Sequence, residues 1–219
     1  MAERVAAVRE RIARAGGDPA QVQLVAVTKG FGVDVVRAAL AAEVVDLGEN
    51  YAQDLLAKVA DLDPATDPTP RWHFVGRLQR NKVRKVAPSV GLWQSVDRLS
   101  LGTEIARWAP GAPVLVQVDL TGEPTKGGCP PSDVPQLLDG LAALGLDVRG
   151  LMGIGPLADP EAARPGFREL SQLANKYGLF ERSMGMSADL EVAVQEGATM
   201  IRVGSGLFGP RPGSIGVRH

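Results

Sequence analysis

Lys29 follows directly on the apolar run Val25-Ala26-Val27-Thr28. Apolar walls at the end of a buried strand favour the neutral amine, which is the form that attacks a carbonyl to make an imine. Position alone favours a solvated turn lysine over an imine-forming one. Two later segments have the chemistry of anion binding. Ser187 lies in Met184-Gly185-Met186-Ser187-Ala188-Asp189, where it could cap the helix that follows, with its hydroxyl and the nearby amides turned toward an anion. Arg202-Val203-Gly204-Ser205-Gly206 closes another apolar run, and there glycines leave backbone N–H groups unobstructed beside a second hydroxyl. Asn50, in Gly48-Glu49-Asn50-Tyr51, fits a helix cap or a ligand contact. Met152-Gly153-Ile154-Gly155 is small enough to let a ligand approach the backbone, and Lys126 is a second lysine in a glycine-rich loop. Arg77, Arg80, Lys82, Arg84 and Lys85 make one segment strongly basic, which reads as a solvated helix face.

Strand-like and helix-like segments alternate from end to end. Strand-like runs fall at 22–27, 44–47, 72–75, 92–96, 114–120, 148–152 and 200–203, with a more polar one at 181–184. Helical spacing appears at 3–15, 33–42, 51–62, 79–86, 99–108, 134–143, 161–177 and 190–196. Short continuous apolar strands suit a parallel sheet covered by helices, and eight such units close a barrel. A doubly wound open sheet is the rival, but Thr28-Lys29-Gly30-Phe31-Gly32 is no dinucleotide-binding turn. The expectation is one TIM (β/α)8 domain over 1–219, with an extra N-terminal helix within 1–16 and a loose tail at 210–219. Function in such barrels sits at the strand C-termini, and phosphates are commonly held after the last two strands. The first and last strands of a closed barrel are neighbours. An imine-forming Lys29 beside a cradle at Ser187, Gly204 and Ser205 therefore suits a phosphate-bearing aldehyde, and pyridoxal phosphate is the obvious candidate.

Composition excludes several alternatives. The 219 residues carry 24 Lys and Arg against 25 Asp and Glu, so no basic surplus exists to neutralise nucleic acid. One Cys forbids an internal disulfide and a cysteine metal cluster, and 2 His argue against a histidine zinc site. The N-terminus lacks the pattern of a signal peptide, and no stretch is apolar enough to span a membrane. A cytoplasmic, monomeric protein is expected.

Val25-Ala26-Val27-Thr28-Lys29, Gly48-Glu49-Asn50-Tyr51, Trp72-His73-Phe74-Val75-Gly76, Leu78-Gln79-Arg80-Asn81-Lys82, Gly150-Leu151-Met152, Met184-Gly185-Met186-Ser187 and Arg202-Val203-Gly204-Ser205-Gly206-Leu207-Phe208-Gly209 stand in this order. The set resembles the pyridoxal phosphate homeostasis protein family, and the resemblance covers nearly the whole chain. It implies a pyridoxal phosphate-bearing TIM barrel like the N-terminal domain of alanine racemase. It implies that Lys29 carries the cofactor as an internal aldimine, that Ser187 with the Gly204-Ser205 turn binds the phosphate, and that Arg202 faces the pyridine nitrogen. Asn50 and Met152 would line the ring, and Lys126 matches a loop lysine on the cofactor's path. Two departures keep a hydroxyl, Thr28 and Ser205, while Gly30-Phe31-Gly32 alters the loop after the lysine.

A guanidinium at the ring nitrogen disfavours its protonation and makes the ring a poorer electron sink. Related racemases add a tyrosine base from a second domain and a partner subunit. This chain has 2 Tyr and little length after Gly209 for a second domain. The expected role is a carrier without catalytic residues. It would hold pyridoxal phosphate as a reversible Schiff base and supply it to pyridoxal phosphate-dependent apoenzymes. An amino-acid racemase and a cofactor-free Schiff-base lyase are the alternatives.

Overall fold

A computed structural model of the chain describes residues 1–123, 126–156 and 159–210. Residues 211–219 of the tail expected at 210–219, and the loop positions Pro124 and Thr125, lie outside the described residues. Eight strands alternate with helices: β1 (Gln23–Val27), β2 (Asp46–Glu49), β3 (Arg71–Phe74), β4 (Val90–Val96), β5 (Pro113–Val118), β6 (Asp147–Gly153), β7 (Glu181–Ser183) and β8 (Met200–Val203). The helices are α1 (Ala2–Arg14), α2 (Val33–Ala41), α3 (Ala52–Asp61), α4 (Arg80–Val86), α5 (Leu99–Trp108), α6 (Val134–Ala143), α7 (Arg164–Lys176), α8 (Leu190–Gln195) and α9 (Ser205–Phe208). The strands form a closed barrel in sequence order, every pair parallel, with β8 returning to β1 through four registered pairs from Gln23–Met200 to Ala26–Val203. The β7–β8 pairing is the shortest, with the single registered pair Ser183–Met200.

Alternation along each strand sorts the side chains. Ala26, Ile201, Val203 and Leu151 face outward and pack under the helices in one continuous core. Val25, Leu92, Leu115, Met152 and Met200 meet inside the barrel as a second, smaller apolar layer. The inward phase of β1, through Val25 and Val27, carries on to Lys29 at the mouth, and that of β8, through Met200, carries on to Arg202 and Gly204. Periodicity in the sequence thus decides which residues reach the site.

α1 presents Val5, Val8 and Ile12, one face at helical spacing, to the core. It lies against α8 and α9. Arg11 pairs with Glu191 at 2.6 Å and donates to the Ser187 carbonyl at 3.0 Å, and Arg4 donates to the Leu207 carbonyl at 2.8 Å. The start of the chain therefore latches its last two units.

Among the boundaries that differ from expectation, two have a physical reason in side-chain partners. The second strand runs over Asp46–Glu49 rather than 44–47, because both acidic residues are matched inside: Asp46 by Arg71 and His73, Glu49 by Lys58 and Thr28. β5 ends at Val118 rather than at residue 120, because Asp119 turns the chain by accepting the Thr121 and Gly122 N–H groups at 3.0 and 2.9 Å.

Candidate functional site

The mouth of the barrel is assembled where β1, β7 and β8 end. Thr28 is buried directly after β1, and Lys29 follows, half-buried, in a turn closed by the Phe31 N–H to Thr28 carbonyl bond of 3.1 Å. Gly204 precedes α9, and Ser205 is its first residue, so the Ser205 N–H has no intrahelical acceptor. An added Cβ at Gly206 would lie 2.9 Å from Val203 Cγ1 and 3.3 Å from Ser187 Oγ, so this turn requires bare backbone. The Gly206 N–H donates to Ser187 Oγ at 3.1 Å, which ties the turn after β7 to the turn after β8. Ser187 does not cap α8, contrary to expectation. Asp189 holds the N-cap position and accepts the Met186 N–H at 2.6 Å, which leaves Ser187 in the preceding turn beside α9. Gly185 permits that turn with φ +90°.

Beneath Lys29 lies a buried charge pair. Lys58, from α3, reaches inward to the Glu49 carboxylate, to the Thr28 carbonyl at 2.7 Å and to the Thr28 hydroxyl at 3.3 Å. The Thr28 hydroxyl donates to Glu49 at 2.7 Å, and the other Glu49 oxygen accepts the Asn50 N–H at 3.1 Å. Charge, hydroxyl and backbone together fix the Thr28–Lys29 peptide and the end of β2. Gly76 makes this close approach feasible, since a Cβ there would lie 2.3 Å from the Asn50 carbonyl oxygen.

Arg202 is buried in the interior. Its Nη1 donates to Ser183 Oγ at 2.6 Å and its Nη2 to the Gly153 carbonyl at 2.8 Å. Burial pushes the guanidinium down to about 10, against the pull of Asp189, so it is charged at neutral pH. Among the described residues it forms no ion pair within 4 Å of a carboxylate, which sets it apart from a structural rim pair. Below it, Ser183, Gln94, His73 and Asp46 continue a polar line through the barrel. Burial raises the Asp46 carboxyl, but hydrogen bonds from His73, Arg71 and Gln23 outweigh it and hold the group well below the usual carboxylate range.

The other expected residues fall into different layers. Met152 is wholly buried in the interior apolar layer. Asn50 lies at the end of β2, with its Oδ1 buried and without a hydrogen-bond partner. Tyr51, rather than Asn50, takes the α3 N-cap position. Lys126 bends toward the mouth, bonding Glu123 at 2.6 Å and the Gly155 carbonyl at 2.9 Å. The basic segment borders a cleft of about 660 Å³ beside the mouth, lined by Asn50, Tyr51, Gln53, Arg77, Lys82 and Arg98 among others. Among the described residues no group of three or more His, Cys, Asp or Glu could hold a metal ion. Lys58, Glu49, His73, Gln94 and Ser183 escape a reading of motifs at strand ends. For His73, Gln94 and Ser183 the available signal is a polar residue on the inward phase of a strand, whereas Glu49 lies on the outward phase of β2 and meets Lys58 from α3.

The family model described as alanine racemase, N-terminal domain, matches residues 2–212. A pyridoxal phosphate homeostasis protein of Pseudomonas aeruginosa is 42% identical, covering 96% of this chain and 94% of the relative. One from Deinococcus radiodurans is 41% identical, covering 93% and 97%. Among solved structures, PipY of Synechococcus elongatus with PLP bound superposes with a TM-score of 0.79 at 36% identity, covering 92% of this chain and 100% of PipY. Alanine racemase of Clostridium difficile, at 17% identity and a TM-score of 0.73 over 94% of this chain and 56% of that one, shares the fold.

Proposed function

Because the chain belongs to the alanine racemase N-terminal domain family and to the pyridoxal phosphate homeostasis proteins, we propose that it binds pyridoxal 5′-phosphate and serves its homeostasis. In this reading it holds the cofactor reversibly on Lys29 and supplies it to apoenzymes. The observation that carries the proposal is the convergence on one rim of an amine, a buried guanidinium and two tied hydroxyl turns: Lys29 after β1, Arg202 within β8, and Ser187 bonded to the Gly204–Gly206 turn. The residues fit the group. The Gly206 turn has no room for a side chain, the Ser205 N–H and both hydroxyls suit phosphate oxygens, and Asn50 holds an unpartnered buried oxygen at the mouth.

When bound, pyridoxal phosphate supplies an aldehyde for reversible condensation with an amine and a ring that can accept electrons. The protein's own part is positional. Thr28, clamped by Lys58 and Glu49, fixes the peptide that carries Lys29. Ser187 and Ser205 hold the anionic end, and Asn50 and Met152 border the ring. Arg202 offers a permanent donor to the ring nitrogen, which keeps that nitrogen an acceptor and restrains the electron sink. A restrained sink suits a carrier better than a catalyst. Of the two tyrosines that could act as a racemase base, Tyr177 ends α7 against the outer core and Tyr51 is largely exposed. We place the protein in the cytoplasm as a monomer. No described helix is long and apolar enough to cross a membrane.

The test is borohydride reduction of protein incubated with pyridoxal phosphate, followed by peptide mapping. The label is expected on Lys29 and absent from Lys29→Ala, with the fold retained. A full label on another lysine of the unaltered protein refutes the assignment. An uncoloured protein that takes no label would favour the cofactor-free lyase, and sustained racemisation of amino acids would favour the racemase.

A further inference from the structure

We propose that Ser183, Gln94 and His73 are positioning residues for Arg202, forming a hydrogen-bond chain of single sense that runs through the barrel from its mouth to Asp46 at the opposite rim. The links are short and buried: Arg202 Nη1 to Ser183 Oγ 2.6 Å, Ser183 Oγ to Gln94 Oε1 2.6 Å, Gln94 Nε2 to His73 Nδ1 2.7 Å, and His73 Nε2 to Asp46 Oδ1 3.0 Å. They join β8, β7, β4, β3 and β2 in turn. Asp46 and Arg71 are the first residues of their strands and mark the far end.

The sense of the chain is forced at both ends. Arg202 can only donate, so the Ser183 oxygen must accept, and its own hydrogen goes to Gln94 Oε1. That bond orients the amide and turns Gln94 Nε2 toward His73, whose Nδ1 must then be a lone pair. The ring hydrogen is left on Nε2 and is donated to Asp46, which as a carboxylate can only accept. Every donor points from the mouth toward Asp46. Gln94 Nε2 also contacts Met200 Sδ at 3.0 Å, a second acceptor that holds the same amide orientation.

Protonating His73 would break this order. Nδ1 would become a donor facing the Gln94 NH2, the amide would have to turn over, and the Ser183 oxygen would then face donors from both Gln94 and Arg202. The charged groups about His73 are Asp46 from β2 and Arg71 from its own strand, while Glu181 of β7 acts on Arg71. Burial lowers the imidazole and outweighs the opposing pull of Asp46, which agrees with a neutral ring. Keeping His73 neutral therefore preserves the geometry of Arg202. The consequence for a ring nitrogen at Arg202 rests on the pyridoxal phosphate reading above; the chain itself does not.

The chain has 2 His, and the other, His219, is in the C-terminal tail, so histidine-selective 15N labelling gives a spectrum with few signals. Long-range 1H–15N correlation of the unaltered apoprotein is expected to show His73 as one tautomer with hydrogen on Nε2, neutral below the ordinary histidine midpoint of about 6.5. Ser183→Ala should release the amide and yield both tautomers, and Ser183→Thr should restore one. Gln94→Glu, which faces Nδ1 with a carboxylate, should raise the His73 midpoint by about one pH unit or more. Hydrogen on Nδ1 in the unaltered protein overturns the proposal without any variant, and so does a tautomer unmoved by Ser183→Ala. With pyridoxal phosphate added, Gln94→Glu should change the pH dependence of the visible band. A bound cofactor whose spectrum matches the unaltered protein at every pH overturns the positioning role. Failure to bind pyridoxal phosphate at all refutes the cofactor reading instead, and the apoprotein measurements still decide the chain.

Discussion

Lys58→Met removes an ammonium that makes three contacts in a buried place, with the Glu49 carboxylate, the Thr28 carbonyl and the Thr28 hydroxyl. Methionine nearly matches the lysine stem in length, so packing is largely kept and the charge is what disappears. Glu49, with no exposed surface, would retain the Thr28 hydroxyl and the Asn50 N–H as donors. Breaking a buried pair on one side costs about 3–5 kcal/mol, because the surviving charge stays desolvated and uncompensated. At this chain length each kcal/mol lowers Tm by about 2–4 °C, so a fall of roughly 6–20 °C is expected. Urea unfolding followed by circular dichroism should give the same loss through the midpoint with an unchanged slope. Adding Glu49→Gln removes the stranded charge and should recover a substantial part of the loss, which a double-mutant cycle measures. A Lys58→Met protein within about 1 kcal/mol of the original, the value of an exposed pair, would refute this account of the site's foundation. A double variant no better than the single one would refute it too.

Ser187→Ala and Ser205→Ala should each weaken pyridoxal phosphate binding by about 1–3 kcal/mol through loss of a charge-assisted bond, read by equilibrium titration; unchanged affinity in both would place the phosphate elsewhere. Arg202→Glu should favour a protonated ring nitrogen and increase slow transamination of amino acids, compared at known cofactor occupancy; an unchanged reaction profile at full occupancy would deny Arg202 its place at the ring. Asp46 is held below its unfolded value of about 3.9, so its contribution is present above that pH and is lost as pH falls toward the folded value. Asp46→Asn should therefore flatten the acid limb of the stability–pH curve below about pH 4, and a limb of unchanged steepness would contradict the linkage.

The architecture was legible because most of the strands are short apolar runs between turn residues, and eight strand–helix units leave few alternatives to a closed barrel. The rim was legible for a related reason: Lys29, Ser187 and Ser205 follow directly on apolar runs, where a barrel builds its site. What lies beneath was hidden. Asp46 and Glu49 argue against a strand to any hydropathy-based reading, because sequence shows a charge but not the partner that folding supplies from Arg71, His73 or Lys58. Lys58 looks like one more solvated helical lysine until α3 turns it inward. The role expected of Ser187 as a cap failed for a local reason, since α8 starts only after Asp189, whose carboxylate accepts the Met186 N–H and folds the intervening turn with Ser187 inside it.

The pairing of β7 with β8 through a single registered pair has a mechanical meaning for the whole ring of strands. Backbone bonds from Thr199 N–H to the Arg182 carbonyl, Met184 N–H to the Met200 carbonyl and Arg202 N–H to the Gly185 carbonyl tie this joint, which lies directly under the turns that carry Ser187 and Ser205. Arg202 to Ser183 bridges it from within, and the α1 latch onto the Ser187 and Leu207 carbonyls braces it from outside. A phosphate held between the two turns would close the gap from above. The bound anion would then act as a clasp across the ends of β7 and β8. Loading the protein would thereby add to the closure of the barrel, since whatever binds the folded state stabilises it.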